Sequence, residues 1–297
     1  MLSRLGLPSF NYVRAVAPDE VCQLLEKHGE AAQLMMGGTD LFARMRDGFI
    51  HPRLVVDLKH LPGMCDILYD EGTGLKVGAA VNMNKLASHP DVRAHYPLLA
   101  EAAHSVASYQ LRNRATIGGN LCNASPCADT APATLVLDGR VVLYGRNGER
   151  EVPSGEFFTG PGETAMRSGE FMTSIRYPNP PVNAVGRYLK LGRSKIGDLS
   201  IVSVAILGFP HEPSPSGYQF RIALGSVAPV PLRAVEAEDA LAANTPEEKT
   251  FAAAAQKAME AATPIDDVRG STAYRHAMVR NLTLHGLREV WERMREG

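Results

Sequence analysis

The stretch RNRATIGGNLCNASPCADTAP, residues 112 to 132, gathers hydrogen-bonding side chains and bare backbone where a core would require apolar residues. Thr116, Gly118 and Gly119 read as an exposed-backbone turn. Asn120, Asn123 and Ser125 add side-chain donors, and Asp129 is a carboxylate of the kind that accepts from ribose hydroxyls in dinucleotide sites. The competing reading is an irregular surface loop whose asparagines and serines satisfy only their own backbone.

A second stretch favours the ligand reading. In AAQLMMGGTDLFARMRDG, an apolar run ends at Gly37 and Gly38, with Thr39 and Asp40 as N-cap candidates for a helix over LFARMR. Such a turn offers N–H groups at the positive end of a helix, an economical way to hold a pyrophosphate. One glycine pair alone is more often a tight turn, but two cradles suggest two halves of one ligand.

The rest of the chain sets limits on the function. Its 297 residues exceed one comfortable core, so two domains, or one with a clear subdivision, are expected. A hydrophobic fraction of 45% with 21% charged residues argues against disordered, collagen-like and membrane classes. A formal charge of -1 gives no field for nucleic acid or anionic lipid. The apolar run from Ile201 to Phe209 is too short for a membrane span, and MLSRLGLPSFNYVRA has no apolar signal-peptide centre, so a cytoplasmic protein is expected. Cys22, Cys65, Cys122 and Cys127 contain no CxxC pair, and the nine histidines form no HExxH. Zinc or an iron-sulfur cluster built by this chain is therefore disfavoured.

Local patterns predict the elements. APDEVCQLLEKHGE is a helix, with Pro18 and Asp19 in its first turn, Val21, Leu24 and Leu25 as its stripe and Gly29 as its stop. RLVVDL is a strand, and DILYDEGTGLKVGAA a hairpin turning at Gly72 to Gly74. A helix begins near Pro97, and ATLVLDGRVVLYGRNGEREVPSGEFF alternates as two strands around Arg146 to Gly148. RYPNPPV, residues 176 to 182, is the best domain boundary. Beyond it GRYLKLGRSK, IVSVAILGF and YQFRIALGSVAP supply strands. Two helices follow, one opened at Thr245 to Glu248 and one at Ser271 with the stripe Tyr274, Met278, Leu282, Val290 and Met294. The C-terminal part therefore reads as a sheet with helices on one side.

LMMGGTDLFARMR and RNRATIGGNLCNASPCADTAP together resemble the flavin-binding subunit of the molybdenum hydroxylases, the group of xanthine and carbon monoxide dehydrogenases. FFTGPGET, LGRSKIGDLSIVSVA, RIALGSVAPVPLRAVEAE and RGSTAYRHAMV follow in the family's order, so the resemblance covers essentially the whole chain. It implies an α+β fold: a two-subdomain FAD-binding domain of the vanillyl-alcohol-oxidase (PCMH-like) type over residues 1–177, its subdomains about 1–58 and 59–177, and a CO dehydrogenase flavoprotein-like C-terminal domain over 178–297.

The same resemblance implies an oxidoreductase subunit with FAD on this chain and specific residues around it. The loop Gln33, Leu34, Met35, Met36, Gly37, Gly38, Thr39 and Asp40 would wrap the pyrophosphate, and Ala115, Thr116, Ile117, Gly118 and Gly119 would close from the other side. Asn120 belongs to the same polar set. Asn123, Ser125 and Asp129 would serve the adenosine half and its ribitol neighbour, with further contacts from Phe171, Leu189 and Lys190 and with Asp198 near the flavin ring. The flavin carries the chemistry, so no catalytic side chain and no metal ligand is expected. Partners would be a small 2Fe-2S subunit and a large molybdenum-cofactor subunit, with NAD or another molecule as electron acceptor. One subgroup, resembling 4-hydroxybenzoyl-CoA reductase, inserts a cluster-binding segment after a cysteine at the place of Cys122; this sequence has no such insert before Asp129, so the resemblance implies no iron-sulfur cluster on this chain. A free-standing flavin oxidase and a non-redox nucleotide-binding assembly module are the competing readings.

Overall fold

A computed structural model describes residues 6–194 and 197–296. Met1 to Leu5, the start of the stretch read for a signal peptide, and Lys195 and Ile196 of LGRSKIGDLSIVSVA lie outside the described residues. The fold is α+β, with three main sheets.

The first sheet is small and parallel, with Leu54–Asp57 between Asn11–Arg14 and Ala32–Met35. The helix Pro18–His28 makes its crossover, with proline and two acids in the first turn and a stop at Gly29 (φ +51°). The central strand is buried along its whole length. Its neighbour Ala32–Met35 runs into the Gly-Gly loop and then into the helix Thr39–Arg46. Gly38 is the N-cap of that helix, in the left-handed region at φ +77°, and Thr39 is already helical. The expected side-chain cap by Thr39 or Asp40 is therefore replaced by a bare backbone one.

The second sheet is antiparallel, in the order Ile67–Asp70, Gly74–Gly78, Phe171–Tyr177, Arg140–Gly145, Gly148–Pro153. Both hairpins turn where the glycines place them. The expectation that ATLVL belongs to a strand is wrong, because Thr130–Val136 is a helix buried at every residue. A helix enclosed on all sides carries apolar residues all round, which erases the 3.6-residue period.

The third sheet orders Val185–Leu191, Val202–Pro210, Tyr218–Gly225 and Leu232–Arg233. Its central strand Val202–Pro210 buries both faces, which explains the unbroken run IVSVAILGF. Val204 and Ile206 face the core shared with the C-terminal helices, while Ala205, Leu207 and Phe209 face the core of the preceding domain. On that inner side lie the helices Pro97–Ser105 and Thr130–Val136. The outer side carries three helices rather than the two expected: Val235–Ala243, Glu248–Ala261 and Thr272–Glu296. The buried stripe of the last helix is also displaced from the expected one. It runs through Arg275, Val279, Thr283, Gly286, Leu287 and Val290, and its polar and small members hide it from a hydrophobic pattern. Arg275 is satisfied by the carbonyls of Ile201 (2.7 Å) and Ser226 (2.8 Å) and by Asp267 (2.7 Å).

Candidate functional site

The Gly-Gly loop and the stretch beginning at Arg112 meet. A Cβ built on Gly37 would lie 2.3 Å from the Arg114 carbonyl oxygen and 3.1 Å from the Ala115 Cα. Glycine is required there because two backbones touch. Behind the loop, Lys59 Nζ donates to the Met36 carbonyl (3.0 Å) and to Asp57 (2.6 Å). Burial works against the ionised Asp57, but hydrogen bonds from Lys59 and Tyr12 outweigh it and hold the carboxyl below its ordinary range. Among the described residues, the amides of Gly37, Gly38, Thr39 and Asp40 have no acceptor, so the start of the helix Thr39–Arg46 presents four free donors.

The second loop is built differently from its sequence reading. Thr116 caps the short helix Ile117–Cys122, its hydroxyl accepting from the Gly119 amide at 3.1 Å. Ile117 and Gly118 are buried, and their amides are spent on the Val81 (3.0 Å) and Ala79 (2.9 Å) carbonyls. Gly118 is a packing glycine, since a Cβ there would stand 2.6 Å from the Ala79 Cβ. The exposed-backbone reading of Gly118 is therefore corrected. Asn120 Oδ1 accepts from the Thr130 hydroxyl at 2.6 Å, and Ser125 Oγ from the Cys127 amide at 3.2 Å.

Between the two loops lies a cavity of about 600 Å³. All of Gln33 to Asp40 line it, as do Ala115, Thr116, Gly119, Asn120, Asn123, Ser125, Asp129, Phe171 and Asp198. Four anticipated residues do not: Ile117 and Gly118 for the reason given, Leu189 because it packs elsewhere, and Lys190 because it stands behind Asp129. Leu189 packs toward the C-terminal helix, its Cδ1 3.0 Å from where a Gly286 Cβ would stand. Lys190 reaches the site through Asp129, pairing with Oδ2 at 2.7 Å while also donating to the Ser105 carbonyl at 3.0 Å. Tyr188, two residues earlier on the same strand, donates to Oδ1 at 2.9 Å. Burial pushes the Asp129 carboxyl above its ordinary range, and Lys190 limits that rise. Asp198 accepts from Arg193, which holds its carboxyl below the usual range.

Two family models match the chain, one described as the FAD binding domain in molybdopterin dehydrogenase over residues 8–180, the other as the CO dehydrogenase flavoprotein C-terminal domain over residues 187–290. The chain belongs to this family of flavoprotein subunits. The carbon monoxide dehydrogenase medium chain of Hydrogenophaga pseudoflava is 33% identical, with 96% of this chain and 98% of that one covered. A solved structure of the Hydrogenophaga pseudoflava enzyme, in a form lacking the Mo-pyranopterin moiety, superposes with a TM-score of 0.92 over 97% of this chain and 99% of that one, again at 33% identity. The xanthine dehydrogenase FAD-binding subunit of Escherichia coli O157:H7 is 30% identical over 92% of this chain and 93% of its own. As a molybdopterin-dehydrogenase flavoprotein subunit, the chain is part of an oxidoreductase with FAD as its cofactor.

The residues present fit that cofactor. The cavity falls within the size range of cofactor sites, and the four free amides at a helix start match a pyrophosphate. Several lining residues of this flavoprotein subunit carry no sequence signal. Leu41, Leu58, Val106, Ala107, Leu111 and Met172 contribute apolar surface that looks like ordinary core in one dimension, and Arg44 looks like a solvated helix cation. Cys122 and Cys127 also line the wall as free thiols. Burial pushes the Cys122 thiol up to about 12, while Arg269 donates to Cys127 Sγ at 3.3 Å. No group of three or more His, Cys, Asp or Glu among the described residues is arranged to hold a metal ion. No helix among them is long and apolar enough to cross a membrane.

Proposed function

We propose that this chain is the electron exit of a heteromeric molybdenum hydroxylase: it takes electrons from 2Fe-2S clusters on a small partner subunit, fed by a molybdenum-cofactor subunit, and passes them to NAD or another acceptor. The observation that carries the reading is the contact of the two loops at Gly37 and Arg114 over one cavity lined from both sides. Bound FAD would supply the redox chemistry, which no side chain of this chain needs to perform.

The chain's own residues bind and orient. The amides of Gly37 to Asp40 would hold the pyrophosphate, with Arg44 adding a cation on the next turn. Thr116 fixes the turn that places Gly119 and Asn120 on the opposite wall. Asp129, gripped by Tyr188 and Lys190, would accept from sugar hydroxyls with its remaining lone pairs, and Asn123 and Ser125 would extend that polar edge. Phe171 and the sulfur-bearing Met166 and Met172 offer apolar surface for aromatic rings. On this reading Lys190 and Leu189 act from behind the wall. Residues 1–177 would form the cofactor domain and 178–297 the domain that completes it.

The test is the visible spectrum of the purified chain and chromatography of what heat releases. FAD that dithionite bleaches, together with co-purification of molybdenum- and iron-bearing chains, is the expected outcome. A colourless protein that takes up no added FAD, even with such partners present, overturns the assignment. NAD reduction by the assembled complex decides the acceptor.

A further inference from the structure

Five charged side chains are buried among the described residues: Asp57, Arg112, Asp129, Glu238 and Arg275. Four have a counter-ion in contact. Asp57 has Lys59, Asp129 has Lys190, Glu238 has Arg233 and Arg275 has Asp267, at separations of 2.6 to 2.7 Å. Arg112, 7% exposed, has none among the described residues. Its guanidinium donates to neutral oxygens only: Asn84 Oδ1 at 3.0 Å, the Val106 carbonyl at 2.9 Å and the Ala107 carbonyl at 3.1 Å. A buried cation without a counter-charge is costly, and such groups are retained where an anion is received or a strained segment is held.

A cavity and a strained segment meet here. Val106 and Ala107 line the cavity, and Ala107 stands in the left-handed region at φ +42°, which L side chains adopt reluctantly. Each carbonyl that Arg112 grips is one end of a peptide group whose other end is an N–H: Ala107 for the first, Ser108 for the second. Neither amide has an acceptor among the described residues. A cation on the oxygen polarises the peptide and strengthens the donor at its far end.

We propose that Arg112 is a positioning residue for the cavity's occupant: it holds the Ala107 turn open toward the cavity and places an uncompensated positive charge behind it, so that this wall receives an anionic or electron-rich oxygen edge of the cofactor. The proposal rests on the reading of the cavity as the FAD site. It adds Val106 and Ala107 to the walls formed by the two glycine loops.

The experiment uses the full-length chain, with FAD titrated into the cofactor-free protein and the midpoint potential of the bound flavin measured. Arg112→Gln removes the charge. Arg112→Gln combined with Ala107→Gly removes it while letting the turn keep its conformation without strain, which keeps the test alive if the single variant folds poorly. Arg112→Lys retains the charge but not the fork. The expected result is an affinity loss on the order of tenfold in both glutamine variants, a midpoint potential moved to more negative values, and a potential near wild type in Arg112→Lys. A folded double variant with wild-type affinity and potential overturns the proposal while leaving the FAD assignment intact. A wild-type chain that binds no FAD overturns both.

Discussion

Replacing Gly37 by alanine sets a methyl carbon 2.3 Å from the Arg114 carbonyl oxygen and 3.0 Å from its carbonyl carbon. Both atoms are backbone, so no rotamer change relieves the overlap. The loops must separate by about 1 Å to restore ordinary contact distance, a displacement that forfeits a quarter to a half of each van der Waals well it stretches. Overpacking of this kind costs about 1–3 kcal/mol. Because the two loops form opposite walls of the cavity, the same displacement draws the free amides of Gly37 to Asp40 away from Thr116 and Gly119. FAD affinity should fall by about one to two decades. The assay is a fluorescence titration of cofactor-free protein with FAD, run beside thermal unfolding without FAD. Gly148→Ala is the control, because Gly148 has nothing within 4 Å of a built Cβ, although its φ of +88° makes any side chain there strained. It should lose about 1–2 kcal/mol of stability from backbone strain and keep its FAD affinity. A Gly37→Ala protein that binds FAD within about twofold of wild type would refute the argument that the loops meet at this glycine.

Three further outcomes follow from the same geometry. Asp129→Ala strands Lys190 and Tyr188 in a buried site and should cost about 3–5 kcal/mol in denaturant unfolding; adding Lys190→Met should recover part of the loss, and no recovery would show that the pair is not coupled. Asp267 is held well below its ordinary 3.8; burial opposes this, but hydrogen bonds from Arg269 and Arg275 prevail. A native pKa below the unfolded one means that the unfolded chain binds more protons as pH falls through that window, so stability is present above about pH 4 and lost below it. Asp267→Asn should flatten that acid limb in Tm against pH, and an unchanged slope counts against the assignment. Finally, with the Cys122 thiol pushed up to about 12 by burial and Cys65 exposed, brief alkylation at pH 8 followed by mass spectrometry should label Cys65 ahead of Cys122; the reverse order would sink the burial argument.

Local chemistry made much of this molecule legible. Pro18, Asp19 and Gly29 bound a helix by themselves, and the turns at Gly72 to Gly74 and Arg146 to Gly148 follow from glycine alone. Failures arose where a partner distant in sequence decides the outcome. Gly118 looks like an open turn until the carbonyl of Ala79 is seen accepting its amide. Thr130–Val136 alternates like a strand because neighbours enclose it on every side. The resemblance points to Lys190, which stands behind Asp129 rather than on the cavity wall, and Tyr188, which shares Asp129 with it, carries no sequence signal. Arg112 belongs to a polar stretch in sequence, but its lack of a counter-ion among the described residues exists only in three dimensions.

The sheet buried on both faces also has a consequence for the order in which the protein is made. Asp129 receives its two partners only when Tyr188 and Lys190 have emerged, and the cavity wall is finished by Asp198 and Leu199. The strand beyond them keeps its outer face uncovered until the helix Thr272–Glu296 arrives. At a synthesis rate of about 5–20 residues per second, the stretch from Asp198 to that helix's end takes about 5–20 s to appear. During that interval the lining residues of the cavity have been made, but the strand Val202–Pro210 still lacks the helix that covers its outer face. A chain halted before Tyr188 is made therefore carries both glycine loops of the cavity but lacks Tyr188 and Lys190, the two partners that hold the Asp129 carboxylate.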